Sequence, residues 1–421
     1  MDILVVGGGP GGLTAAISAI GKQGEKEGQT PSVMVVDRKE EIGVPVRCGE
    51  GTFVRILRML SACGVDFSTI EEEGVISNHV EKAEIVLVKK DQRKGGALET
   101  KRVVARGKKL GAVILNRDRL EKLLAKVASE RGAEIVTGKT VVGVEKEKKA
   151  GKGEAEKRAA GGSSRSSGRI VAALDDGEEI TATVLIGADG VESRIGTSMG
   201  ILKPLRPHDI SVAVQHRIKG GPWEDRKDTA TIYVGAGIAP WGYIWVFPKK
   251  EGVPSGTANV GIIVSGEHSR KAHNLLESFI ERFWEGTVGE RTETITGAAP
   301  TTTPISVPAH GNIALVGDAA RATSALGAGG IHNAIFTGII AGKAAGETVS
   351  VGKNRMAIYN EAWKKTIYKN LMRSHRLRER IYVSDARIWR FSKALAVASR
   401  VGGVLPVDLL SRWWGKYEKH L

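Results

Sequence analysis

The chain has 421 residues, 41% of them hydrophobic but only 5% aromatic, with 54 glycines; this is enough to bury a large core and suits a loop-rich α/β protein better than a helical bundle or a disordered chain. A formal charge of +15 favours anionic partners without choosing among them, and two cysteines exclude a disulfide framework and a thiolate metal cage, as in a reducing cytosol. A strand begins almost at residue 1, which leaves no room for a cleaved signal, and no run reaches the roughly 18 to 20 apolar residues of a membrane span, so membrane contact is expected to be peripheral at most.

In chain order, residues 2–6 are a short apolar run flowing into glycines, 13–20 read as a helix, and 33–36 as a second strand ending at Asp37. This is a β-α-β unit, with the polar stretch 21–32 as a surface insertion. Residues 83–89 and 99–105 read as a hairpin, Arg117 opens a helix reaching Arg131, and a strand pair begins near Glu134. The Lys/Glu/Gly/Ser-rich segment 146–169 has almost nothing to bury and reads as a long mobile loop. Residues 182–186 lead back into glycines, 211–264 are β-rich with aromatics, 312–316 return to the first pattern, and beyond Gly330 the chain is mainly helical. The expected fold is α/β: a Rossmann-like domain from residues 1–75, 106–200 and 296–346, an inserted β-rich substrate domain from 76–105 and 201–295, and a helical C-terminal region from 347–421.

The glycines Gly7, Gly9 and Gly12 follow a strand and open a helix. Gly7 permits the tight turn, Gly9 lets the backbone approach a pyrophosphate, and Gly12 allows close helix–strand packing. Asp37 is placed to accept hydrogen bonds from an adenosine ribose, and its charge disfavours a 2′-phosphate there. This unit alone leaves NAD and FAD open.

Two later signatures, Gly187-Ala188-Asp189-Gly190 and Gly317-Asp318-Ala319-Ala320, resemble with the N-terminal glycines the FAD-binding signatures of the flavin hydroxylase superfamily. Within it, Pro45-Val46-Arg47-Cys48-Gly49-Glu50-Gly51 and Tyr243-Ile244-Trp245-Val246-Phe247-Pro248, followed by residues 256–261, resemble two hallmark segments of the geranylgeranyl reductase family, and the resemblance runs from Met1 to about Gly346. It implies bound FAD, with contacts at Gly12, Asp37, Cys48, Gly49, Gly51, Arg117, Val141, Asp318, Gly330 and Ile331; Asp318 would meet the ribityl chain, and Gly329, Gly330 and Ile331 would lie beside the flavin ring. Ala325 stands where the family has proline, and Ala328 where glycine is common, so a softer loop is expected there.

Trp241, Tyr243, Trp245 and Phe247 share parity, so in a strand all four would project from one face. Beside the reading of an ordinary core face, the resemblance makes Tyr243, Trp245, Phe247 and Pro248 the lining of an isoprenoid tunnel. At about 0.8 kcal/mol per methylene, a twenty-carbon chain offers on the order of 15 kcal/mol of gross transfer energy. The basic charge is therefore free to orient a phosphate head group, hold anionic lipid or steer an acidic electron donor. Hydride added alone to a trialkyl alkene would leave an unstabilised carbanion, so a proton must accompany it. Cys48 is the candidate proton donor or shaping group, with Tyr243 or Trp245 facing cationic character; a buried structural role for Cys48 stays open.

Arg47 could pair with Glu50 or reach the pyrophosphate. Cys63 reads as core, and the nine histidines show no metal spacing. The tail 391–421 mixes apolar residues, Trp413, Trp414, Tyr417 and cations, and suits either a membrane-interface helix or one docked on its own domain. The expected activity is FAD-dependent reduction of isoprenoid double bonds, in a cytoplasmic protein, with geranylgeranyl chains of archaeal-type ether-lipid precursors as substrate. The reductant stays open among ferredoxin, a deazaflavin and NAD(P)H, with an anionic membrane as a peripheral contact and no nucleic acid. A flavin monooxygenase and a non-redox prenyl-binding escort are the competing readings.

Overall fold

The computed structural model describes all residues except 22–29, 92–96, 107–110, 148–167 and 392–421. Most of the expected loop 146–169, most of the insertion 21–32 and nearly all of the tail 391–421 thus lie outside the described residues.

The fold is α/β, with a mostly parallel first sheet, a second β-rich sheet and C-terminal helices. The first sheet runs in the order Ile313–Leu315, Val184–Gly187, Ile3–Val6, Val33–Asp37, Glu134–Thr137, all parallel, with Ala309–His310 antiparallel at one edge. Every side chain of Ile3–Val6 is buried, as befits a parallel strand covered on both faces. Strand order reverses beside it, which places the glycine turn after Val6 at the crevice outside the strands' carboxyl ends.

Helix Pro10–Ile20 is buried along its whole length. It begins three residues earlier than its apolar pattern because Pro10 supplies the fixed φ of a first helical turn. The long helix Ile331–Val351 packs on it. A Cβ at Gly338 or Gly342 would come within 2.2 Å of the Gly11 or Ala15 carbonyl oxygen, so the two helices meet backbone to backbone.

The second sheet has seven strands in the order Glu290–Pro300, Ile210–Lys219, Thr257–Ser265, Tyr243–Pro248, Thr229–Val234, Lys82–Asp91, Ala97–Arg106. Only the pair Thr229–Val234 with Lys82–Asp91 is parallel. Val214, Ile244, Val246 and Ile262 on one face pack with Leu276 and Phe279 of helix Ala272–Trp284. The opposite face carries Tyr243, Trp245 and Phe247, whose rings follow one another at 6.0 and 6.3 Å.

Trp241 does not join that row. Its φ is +58°, the strand starts only at Tyr243, and its ring packs edge-on to His208 beneath the Arg378 guanidinium. Gly242 makes the turn, where a Cβ would lie 1.8 Å from the Ile263 carbonyl oxygen. Parity carries information only inside a strand, so the aromatic wall has three rings rather than four.

Candidate functional site

Gly7 (φ +111°) and Gly12 are pressed on protein: a Cβ would sit 2.3 Å from Ala188 O at the first and 1.8 Å from Gly7 O at the second. At Gly9 a Cβ would meet nothing within 4 Å. The N-terminus of Pro10–Ile20 has no side-chain cap, so its first N–H groups are available to an anion at Gly9. Asp37 is 6% exposed; Oδ1 accepts from the Lys39 N–H (2.8 Å) and Oδ2 from the Gly8 N–H, which fixes the carboxylate beside the turn. Val141, also buried, begins the strand Val141–Lys146. Asp189 adds a half-buried carboxylate whose Oδ2 accepts from Ile195 N–H at 2.9 Å, while its buried Oδ1 has no hydrogen-bond partner among the described residues.

Asp318 lies in a short 3-10 turn, Gly317–Ala320, and accepts from the Thr323 hydroxyl at 2.6 Å. Burial raises its carboxyl above the usual range, against the pull of Arg117 and Arg321. The glycine loop then runs to Gly330, which precedes Ile331, the first residue of the long helix, again without a side-chain cap. Cβ atoms at Gly327 and Gly329 would meet nothing within 4 Å.

Hydrogen bonds from outside anchor this loop. Tyr243 donates to Gly327 O (2.8 Å), Tyr382 to Leu326 O (3.0 Å), and the Ser374 hydroxyl contacts Ser324 Oγ (2.7 Å) and accepts from Leu326 N–H (2.9 Å). Within it Ala325 is buried and Ala328 takes φ +47°, with the anchoring contacts coming from the wall and from the region of helix Lys369–Ile381.

The Cys48 segment lies across the wall. A Cβ on Gly49 would be 3.3 Å from the Trp245 indole, and one on Gly51 would be 2.7 Å from the Phe247 ring. On the other side, a Cβ at Gly261 would come within 2.2 Å of the same indole, so Trp245 is held between two glycines. Its Nε1 donates to Gln215 Oε1 at 3.0 Å, and the residue is 4% exposed. Tyr243 and Phe247 are only partly buried, and Pro248 ends the strand in buried surroundings. Burial keeps the Tyr243 phenol well above its usual range, with Tyr382 and Cys48 adding to it. Cys48 is half-buried; its Sγ accepts the Glu50 N–H at 3.2 Å.

Arg117 begins helix Arg117–Glu130. Burial opposes its charge, but Glu121, one turn on, and Cys48 outweigh that and hold the guanidinium protonated. Glu121 is itself buried; burial works against its ionisation, yet Arg117 and Lys39 (3.3 Å) keep it a carboxylate. The cation at Arg117 thus acts electrostatically on both Cys48 and Asp318, so these three expected residues lie in one region of the fold.

Glu50 does not pair with Arg47, as one sequence reading had it. Glu50 is 1% exposed at φ +68°, and its carboxylate accepts from Lys249 Nζ (2.6 Å), Asn259 Nδ2 (2.7 Å), Arg217 Nη2 (3.4 Å) and the Arg117 N–H (2.9 Å). Lys249 is equally buried, which lowers its pKa although Glu50 pulls the other way, and it also donates to Leu115 O at 3.0 Å. Sequence reasoning missed this clamp because its members, Glu50, Arg217, Lys249 and Asn259, come from separate stretches of chain. It missed His332 as well, where burial and the nearby Arg55 push the imidazole down to about 4. Cys63 is plain core, its thiol pushed up to about 12 by burial.

Residues 1–209 match the FAD binding domain profile, and residues 209–299 match the geranylgeranyl reductase catalytic domain. A digeranylgeranylglycerophospholipid reductase of Thermoplasma acidophilum is 34% identical over 358 residues, covering 83% of this chain and 78% of its own. The chain belongs to the geranylgeranyl reductase family. As such it is an FAD-dependent oxidoreductase, and the open glycine faces and uncapped helix N-termini fit a dinucleotide. A solved structure described as geranylgeranyl bacteriochlorophyll reductase-like, also from T. acidophilum, aligns with a TM-score of 0.72 at 30% identity, covering 91% of this chain and 88% of that one. A probable FAD-dependent monooxygenase of Pseudomonas aeruginosa aligns at 0.62 with 15% identity, covering 92% and 98%, and shares the fold alone with this geranylgeranyl reductase family member.

Proposed function

We propose that the chain reduces the C=C bonds of geranylgeranyl chains, with archaeal-type ether-lipid precursors as its substrates. The observation that carries this reading is the hydrogen bond from Tyr243 to Gly327, which joins the aromatic wall directly to the glycine loop after Asp318. An apolar chain lying on Tyr243 and Phe247 would therefore run beside that loop. The FAD contacts we assign are Gly7, Gly9, Gly12, Asp37, Cys48, Gly49, Gly51, Arg117, Val141, Asp318, Gly329, Gly330 and Ile331. When reduced, FAD supplies the hydride of this chemistry.

The chain's own residues then have three tasks. Tyr243, Phe247 and Pro248 hold the isoprenoid in apolar contact, with Trp245 fixing the wall's shape between Gly49 and Gly261. The Tyr243 hydroxyl hydrogen is committed to the Gly327 carbonyl and its phenol is held protonated, so this ring contributes its face rather than an acid. Cys48, next to Arg117 and Tyr243, is the proton donor in this reading, and Arg117 stabilises the thiolate left behind. Solvent returns the proton between turnovers.

Anaerobic incubation of the chemically reduced flavoprotein with geranylgeranylated ether lipid, followed by mass spectrometry, is expected to show mass gains in steps of two hydrogens; no gain refutes the reaction class. Oxygen consumption coupled to NAD(P)H, with an oxygenated product, would establish the monooxygenase instead. In Cys48→Ala turnover should fall by about 10²-fold or more, with a smaller loss in Cys48→Ser. Unchanged turnover in both, with flavin retained, removes Cys48 from the chemistry. For the reductant, we infer an external donor steered by the basic surface, whether ferredoxin, deazaflavin or NAD(P)H, and a peripheral contact with anionic lipid. Among the described residues no helix is long and apolar enough to cross a membrane.

A further inference from the structure

The back of the seven-stranded sheet carries a cluster that the reaction does not use. Gln215 and His216 are neighbours in the strand Ile210–Lys219, so their side chains leave opposite faces. Gln215 holds Trp245 on the wall side, and His216 turns to the other, beneath helix Ala272–Trp284. There it meets His273 and Glu277, one turn apart on that helix and therefore on one face. His216 Nε2 is 2.8 Å from Glu277 Oε1, His273 Nε2 is 3.9 Å from the same oxygen, and all three donor atoms lie within 4.8 Å of one another.

The surroundings of these three atoms are built. His216 is 2% exposed, and its Nδ1 lies 2.9 Å from the Thr294 hydroxyl oxygen. With Nδ1–H donating to Thr294, Nε2 carries a lone pair near the carboxylate oxygen. Nε2 is buried and, despite the short distance, makes no hydrogen bond. A cation held between Nε2 and Oε1 would satisfy both atoms. Arg291 holds the other oxygen of Glu277, leaving Oε1 directed at the imidazoles.

We infer that His216, His273 and Glu277 form a binding site for a zinc-class transition ion. Donors about 2.1 Å from a tetrahedral ion stand about 3.4 Å apart, and the two observed separations, 2.8 and 3.9 Å, straddle that value. His273 is 58% exposed at its side chain and free to close the longer one. Two imidazoles and one carboxylate suit zinc and disfavour magnesium or calcium, and water completes the fourth position. The ion would brace helix Ala272–Trp284 to the strands Ile210–Lys219 and Glu290–Pro300, away from the wall, so its role is structural.

The test is calorimetric titration of the full-length FAD-loaded protein, freed of metal by chelation and dialysis, with zinc chloride and, separately, magnesium chloride, beside thermal unfolding with and without zinc. One zinc per chain, no magnesium, and a higher melting temperature with zinc are expected. His273→Ala, at an exposed position that leaves the core intact, should weaken zinc binding by at least about tenfold and abolish the thermal gain, and Glu277→Gln should do the same. Absence of zinc binding, or binding and thermal gain undiminished in His273→Ala, overturns the site.

Discussion

Replacing Lys249 by methionine removes the central cation of the Glu50 clamp while keeping most of the side chain's volume. Both side chains are 1% exposed, so the Glu50 carboxylate would be left in a site with no water to take the place of the ammonium. Breaking such a pair costs about 3–5 kcal/mol. Arg217 is only 3.4 Å away and can close in, although Glu293 competes for it at 2.8 Å, and Asn259 and the Arg117 N–H still donate. The lower end, about 3 kcal/mol, is therefore expected. Glu50→Gln should be milder, because burial already lowers the pKa of Lys249 and lets it shed its proton when its partner is gone. The double variant should be more stable than Lys249→Met alone, since it buries no unpaired charge. Thermal and denaturant unfolding of all four proteins, with flavin release followed by fluorescence, measures the cycle. A Lys249→Met protein as stable as the parent, or a double variant no better than that single one, would refute the clamp.

Gly9→Ala should leave the apoprotein's melting temperature nearly unchanged, because a Cβ there meets no protein atom, while FAD affinity falls steeply; Gly12→Ala, with a Cβ 1.8 Å from Gly7 O, should instead fail to give stable protein. Isothermal titration with FAD and a thermal melt separate the two. His332, depressed to about 4 from 6.5, stays neutral in the fold while the unfolded chain takes up a proton. Stability should therefore be complete above about pH 6.5 and decline towards pH 4, by at most about 3 kcal/mol, and His332→Gln should flatten that limb of the melting profile. Tyr243→Phe loses one hydrogen bond to the glycine loop, worth about 1 kcal/mol; faster flavin release measured by fluorescence is expected.

Much of the nucleotide half was legible, because its signals are local. The strand at Ile3–Val6, the helix after the glycines, though not its start at Pro10, Asp37 closing the second strand, and the helix Arg117–Glu130 follow from periodicity and backbone chemistry within a few residues. The row Tyr243, Trp245 and Phe247 followed from strand parity, which failed at Trp241 because a turn intervenes. What stayed hidden depends on contacts between distant segments. Glu50, Lys249, Asn259 and Arg217 come from four stretches of chain, and nothing around Lys249 announces a buried cation. The sharing of Glu121 between Arg117 and Lys39, and the meeting of His216 with His273 and Glu277, are equally products of tertiary placement.

The indole of Trp245, lodged between Gly49 and Gly261, also limits how this sequence can vary. The three positions behave as one unit of substitution. A side chain at Gly261 would occupy space the indole already fills, one at Gly49 would press on it at 3.3 Å, and a smaller residue at 245 opens a void that neither glycine can fill. Single steps away from this triplet therefore lower fitness before a compensating second step can arrive, and a relative bearing alanine or serine at either glycine is expected to carry a smaller ring, or none, at the position of Trp245.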